Sequence, residues 1–193
     1  MFIIIQKSLP GTNAFDQPFE NPLPELVKSA SLLEKAGADF IIMPCHTAHL
    51  WIDEIRKAVT IPFYSIIENT AQTLLGQKNR RNKKILLLAT KTTINSHLYQ
   101  NEFKNSLITI ITPCSEEQQT VDNAMLNVKA GILKNNQYIH QINYFLKKYQ
   151  DKGISAILGC CTEIPLMYPY LKVRMEKLDP TLMLAKFAVQ KAT

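Results

Sequence analysis

The chain has 193 residues, 46% hydrophobic and 20% charged, and its 22 basic against 16 acidic side chains give a net charge of +6. That is ordinary globular composition, which excludes collagen-like, disordered and disulfide-scaffold classes, and the length suits one generous domain or two small lobes. No apolar run approaches the roughly 18 residues that cross a bilayer, and four cysteines, two of them adjacent, make no disulfide framework.

The chain opens on Met1-Phe2-Ile3-Ile4-Ile5, then Gln6 and Lys7. This run is too short for a signal peptide and lacks a basic start, so residues 2–5 are expected to form a buried strand. Further strands are predicted over 39–44, 62–66, 84–89, 107–111 and 154–159. Helical patterns fall near 23–36, 48–58, 68–77, 94–104, 116–131, 136–151 and 180–191. The last helix has Asp179 as its N-cap and Pro180 at its first position. Alternating strands and helices predict an α/β protein of parallel sheets flanked by helices. Continuous Ile/Leu/Val strands fit sheets covered on both faces. The densest basic run, Lys78 to Lys84, contains no aromatic residue and leads into an apolar strand. It reads as a solvated loop, so neither nucleic acid nor membrane is expected as a partner. Free thiols point to a reducing cytoplasm.

An internal echo carries the chemistry. Gly37 is followed by a strand and, eight residues on, by Cys45; Gly153 is followed by a strand and, eight residues on, by Cys161. Each cysteine sits where a buried strand hands over to the next segment, the edge where open α/β sheets bind ligands. Two such units suggest two similar lobes sharing a cleft. A thiolate, favoured at a helix N-terminus, can take a proton from carbon while a second thiol returns one from the opposite side, inverting a stereocentre without a cofactor. The plainer reading is two small core residues at strand ends. Cys45, His46 and His49 also form a metal-ligand set, but no second cluster accompanies them, so no metal is expected.

Met43-Pro44-Cys45-His46-Thr47-Ala48-His49 closely resembles the M-P-C-N-T-A-H motif of the aspartate/glutamate racemase family, and Cys161-Thr162-Glu163-Ile164-Pro165-Leu166 resembles its G-C-T-E-I-P-L motif. Leu87 to Thr93, with Tyr99 after it, is similar to the family's L-L-A-T-x-G-T segment, and Val128-Lys129-Ala130-Gly131 to its K-x-G helix end. The resemblance runs from about residue 1 to 191. Glu163, where glutamate racemases carry histidine, favours the aspartate racemase branch.

The resemblance implies a cofactor-independent racemase of two α/β lobes, acting on aspartate or glutamate, with Cys45 and Cys161 as paired acid and base. It implies substrate contacts from His46, Thr47, Thr90, Thr92, Thr93, Lys129, Thr162 and Glu163, and a homodimer. The expected division is residues 1–80, completed by the C-terminal helix 179–193, and residues 81–178. Relatives normally begin with an extra strand and a G-G-x-G-P loop, so the first lobe is expected to be truncated at its N-terminus. Thr12 falls where the family often carries a carboxylate-binding arginine, His46 replaces an asparagine, and Cys160 replaces a small residue. These departures keep two alternatives open: an inactive relative that binds a small anion, and another reaction of the superfamily such as maleate isomerisation or malonate decarboxylation. Cys114 reads as a structural or surface thiol.

Overall fold

The computed structural model describes residues 21–77 and 83–193. The expected strand at 2–5, Thr12 and most of the basic run lie outside them.

Among the described residues there are two sheets, both wholly parallel. The first pairs β1 (Ile41–Met43) with β2 (Phe63–Ser65). The second holds four strands in the order β4-β3-β5-β6: β4 (Thr109–Ile111), β3 (Lys84–Ala89), β5 (Ala156–Cys160) and β6 (Glu176–Leu178). Register runs Leu87 to Leu158 and Ala89 to Cys160, so β3 and β5 end side by side.

Helices cover both faces. In the first sheet, Ile41, Met43 and Phe63 pack on α1 (Leu23–Lys35) and α2 (Ile52–Lys57) with Ala30 and Ile55. Strand alternation turns Ile42 the other way, toward the core beneath the second sheet. In the second sheet, Leu86, Leu88 and Ile157 face α6 (Ser115–Lys129), α7 (Tyr138–Asp151) and α8 (Glu163–Met167). Ile85, Leu87, Ala89, Ala156, Leu158 and Cys160 face α3 (Ile66–Leu75), α5 (Leu98–Phe103) and α9 (Pro180–Ala192). Ile85 to Ala89 are all at most 1% exposed, which explains an uninterrupted apolar run.

The helix ends follow their sequence signals. Ser65 Oγ accepts from Ile67 N–H (3.1 Å) and Glu68 N–H (3.3 Å) at the start of α3, and Asp179 accepts from Leu182 N–H (3.0 Å) at the start of α9. Gly37 and Gly153 close α1 and α7 with φ of +83° and +80°, so the echo in sequence is an echo in backbone.

Three expectations change. The helix predicted over 94–104 is two, α4 (Lys91–Asn95) and α5, because His97 adopts a left-handed φ of 56° between them. The segment 48–58 begins as a 3₁₀ turn, Thr47–Trp51, before α2. Strand β6 and helix α8 were not anticipated: three residues with two charges, and a five-residue helix containing Pro165, are too short for a periodic signal.

Candidate active site

Both thiols stand beyond carboxyl ends of strands, one from each sheet. Cys45 lies two residues past β1, and Cys161 directly follows β5; each is half-buried. Cys160 points to the opposite face from Cys161 and is fully buried, whereas Cys114 is exposed.

The first turn is tied down by His49. Its Nδ1 lies 2.8 Å from the Cys45 carbonyl, and its Nε2 accepts the Ile66 N–H at 3.2 Å. That pair of bonds puts the proton on Nδ1 and occupies both nitrogens, so His49 holds the turn and has no lone pair for a metal. Among the described residues no group of three or more His, Cys, Asp or Glu side chains is placed to hold a metal ion. Burial lowers the His49 pKa to about 4 and the His46 pKa to about 3, so both rings are neutral at physiological pH.

A triangle of hydroxyls joins the two sheets. Thr47 Oγ1 lies 3.2 Å from Thr90 Oγ1 and 3.0 Å from Thr93 Oγ1, and the latter two are 3.0 Å apart. Thr90 also caps α4 by accepting the Thr93 N–H at 3.2 Å. The β3 end is braced from α6: Gln118 Nε2 donates to the Ala89 carbonyl (2.9 Å) and to Asp122 Oδ1 (3.0 Å), which also accepts the Lys91 N–H (3.3 Å). Burial raises the Asp122 pKa.

The thiols share an electrostatic environment. Burial pushes the Cys45 thiol up, the Ala48 N–H and the Lys129 charge pull it back down, and Glu163 adds an opposing push. Cys161 is pushed up further, first by burial and then by Glu163, whose Oε2 accepts the thiol hydrogen at 2.7 Å; Lys129 again opposes. Lys129 and Glu163 therefore act on both cysteines. The expected thiolate-favouring effect of backbone N–H groups is present at Cys45, but desolvation outweighs it.

The remaining predicted residues divide. His46 is 3% exposed, with Nδ1 2.8 Å from Tyr99 Oη. Thr92 is half-buried beside the triangle in sequence and makes no side-chain bond to it among the described contacts. Thr162 is exposed and its hydroxyl lies 3.1 Å from Glu163 Oε2. Sequence reasoning assigned no part to Gln118 and Asp122; their i, i+4 spacing on a polar helix face was the available signal.

The Asp/Glu/Hydantoin racemase family model matches residues 7–188. The chain belongs to this family. Among curated relatives, the broad specificity amino-acid racemase RacX of Bacillus subtilis is 29% identical over 166 residues, covering 85% of this chain and 69% of RacX. Glutamate racemase of Aquifex pyrophilus is 26% identical over 159 residues, and the chain spans only 55% of that enzyme against 78% of itself. Among solved structures, an aspartate racemase homologue from Pyrococcus horikoshii OT3 superposes with a TM-score of 0.72 at 29% identity, over 89% of this chain and 74% of that one. Picrophilus torridus aspartate racemase gives 0.78 at 24% identity, over 95% and 75%, a likeness of fold. The racemase family's two-lobe α/β architecture accounts for the two parallel sheets.

Proposed function

We propose that this chain interconverts the enantiomers of an acidic amino acid, aspartate first and glutamate second, with Cys45 and Cys161 as opposed acid and base. The observation that carries this reading is that two thiols on separate sheets lie within reach of the same two charges, Lys129 and Glu163. One cysteine as thiolate removes the Cα proton while the other, as thiol, delivers a proton to the opposite face. The roles exchange for the reverse reaction. No cofactor is needed for that balance. A thiol held above its ordinary pKa makes a stronger base once deprotonated, and the substrate ammonium brings the positive charge that favours its thiolate. The half-buried hydroxyls of Thr47 and Thr90 are donors for a carboxylate, backed by the buried Thr93 hydroxyl, with Lys129 as a charge partner. Residues 1–80 with 179–193 form one lobe of the site and 81–178 the other.

The test is to incubate the chain with L-aspartate, L-glutamate and other amino acids in heavy water and follow Cα deuterium by NMR. Exchange is expected, and each of Cys45→Ala and Cys161→Ala should abolish racemisation while leaving the fold intact. Full activity in both variants would refute the mechanism. Folded wild-type protein that exchanges no amino acid would favour the second reading, an inactive relative that binds a small anion. That reading draws on the raised pKa of both thiols, which keeps them protonated.

A further inference from the structure

Two side chains flank the thiols on the inner side of the molecule: His46 follows Cys45, and Cys160 precedes Cys161. Both meet one atom. His46 Nδ1 lies 2.8 Å from Tyr99 Oη, with the rings 5.8 Å apart at 37°. Cys160 stands beside the same hydroxyl, in one buried cluster with Tyr99, and Thr70 of α3 lies close by. Thr70 in turn donates to the Ile66 carbonyl at 2.6 Å. Tyr99, His46 and Cys160 are 0%, 3% and 0% exposed, so no solvent competes for the His46–Tyr99 bond. Tyr99 comes from α5, His46 follows β1 of the first sheet, Thr70 lies in α3, and Cys160 ends the central strand β5. A glycine at position 160 would remove that neighbour from the cluster.

We propose that Tyr99 is a positioning residue, a buried strut whose hydroxyl joins the two cysteine-bearing turns and sets the separation of Cys45 and Cys161. This rests on the two-thiol reading above. Two-base inversion requires both sulfurs within hydrogen-bond reach of one carbon from opposite sides. An error of about 1 Å in such a placement costs on the order of a hundredfold in rate. The threonine triangle reaches the first sheet through Thr47, two residues after Cys45, whereas the Tyr99 hydroxyl reaches it at His46, directly beside Cys45.

The test compares Tyr99→Phe, His46→Asn and Cys160→Ala in a Cys114→Ser background, which removes the exposed thiol. Racemisation is measured in both directions, together with the rate at which dibromobimane bridges Cys45 to Cys161, assigned by peptide mass. Tyr99→Phe keeps the ring and should lower kcat about tenfold in both directions with KM changed less than about twofold. Bridging should slow in parallel, a readout that a loss of general stability would not move in folded protein. Adding His46→Asn or Cys160→Ala to Tyr99→Phe should cost little more, because the strut is already broken. Wild-type kcat and bridging in Tyr99→Phe would overturn the proposal, as would losses that multiply. Should Tyr99→Phe not fold, the His46→Asn/Cys160→Ala pair removes both ends of the strut and decides on the same criteria. A wild-type chain inert toward every amino acid would defeat the racemase reading, and the bridging rates would still decide the strut.

Discussion

Glu163→Gln isolates the strongest polar contact at either thiol. The substitution keeps the shape of the side chain but removes the charge that accepts the Cys161 hydrogen at 2.7 Å and also lies 3.1 Å from the Thr162 hydroxyl. A hydrogen bond to a charged group is worth about 1.5–3 kcal/mol, and about 1.4 kcal/mol is a factor of ten. The thiolate population of Cys161 should therefore rise about ten- to a hundredfold at neutral pH. A less basic thiolate is also a weaker nucleophile, with a Brønsted slope of about 0.5, so the gain in alkylation rate is roughly three- to tenfold. Because Glu163 is half-exposed, solvent screening favours the lower end. The assay is iodoacetamide labelling at pH 7 with peptide-resolved quantification of each cysteine. Cys161 donates its thiol hydrogen to Glu163 and Cys45 has no such bond among the described contacts, so Cys45 should speed up less, which supplies an internal control. Racemisation has an equilibrium constant of one, so any change in kcat/KM must be equal for the two enantiomers. Unchanged or slower labelling of Cys161 would refute the assignment of Glu163 as the group that holds it protonated.

Two further outcomes concern stability. His46 and His49 have folded pKa values of about 3 and 4 against about 6.5 in an unfolded chain, so below pH 6.5 the unfolded state binds more protons. Their contribution is complete above pH 6.5 and is lost as pH falls toward 4 and then 3, at about 1.4 kcal/mol per pH unit for each ring. Urea unfolding at pH 7, 6 and 5 should show this slope, and His46→Asn should remove about half of it; an unaltered slope in the variant would count against the burial argument. At Gly159 an added Cβ would land on Tyr168 Oη and 2.8 Å from Ile164 Cγ2, displacing a hydroxyl that donates to the Leu178 carbonyl at 2.6 Å. Gly159→Ala should therefore cost about 1–3 kcal/mol, measured by the same unfolding, and a neutral substitution would show that the β5–β6 junction yields easily.

Much of this was legible in the chain itself, for identifiable reasons. The strand at 84–89 was predicted with its observed limits because burial on both faces demands an unbroken apolar run, and α9 because Asp179-Pro180 is a start signal with a direct steric cause. The repeated interval from Gly37 to Cys45 and from Gly153 to Cys161 pointed to the two strand-end thiols because a left-handed glycine and a parallel strand fix the intervening length. What stayed hidden was long-range. Nothing near Tyr99 in sequence says that its hydroxyl meets His46, 53 residues away. Nor does local pattern reveal that desolvation outweighs the backbone N–H groups at Cys45, since burial belongs to the assembled fold. The break at His97 was missed because apolar spacing continued through it while the backbone did not.

The placement of α3 bears on how the molecule comes apart. This helix springs from β2 of the first sheet, yet Ile66, Ile67, Ala71 and Leu74 are buried against strands of the second, in company with Leu184 of α9. Ile42 of β1 joins the same cluster from the other side. Besides the core that each half has of its own, the two halves therefore share one. Heat or denaturant that loosens either one removes apolar cover from the other, so melting should proceed as one cooperative event with no half-folded species left standing between.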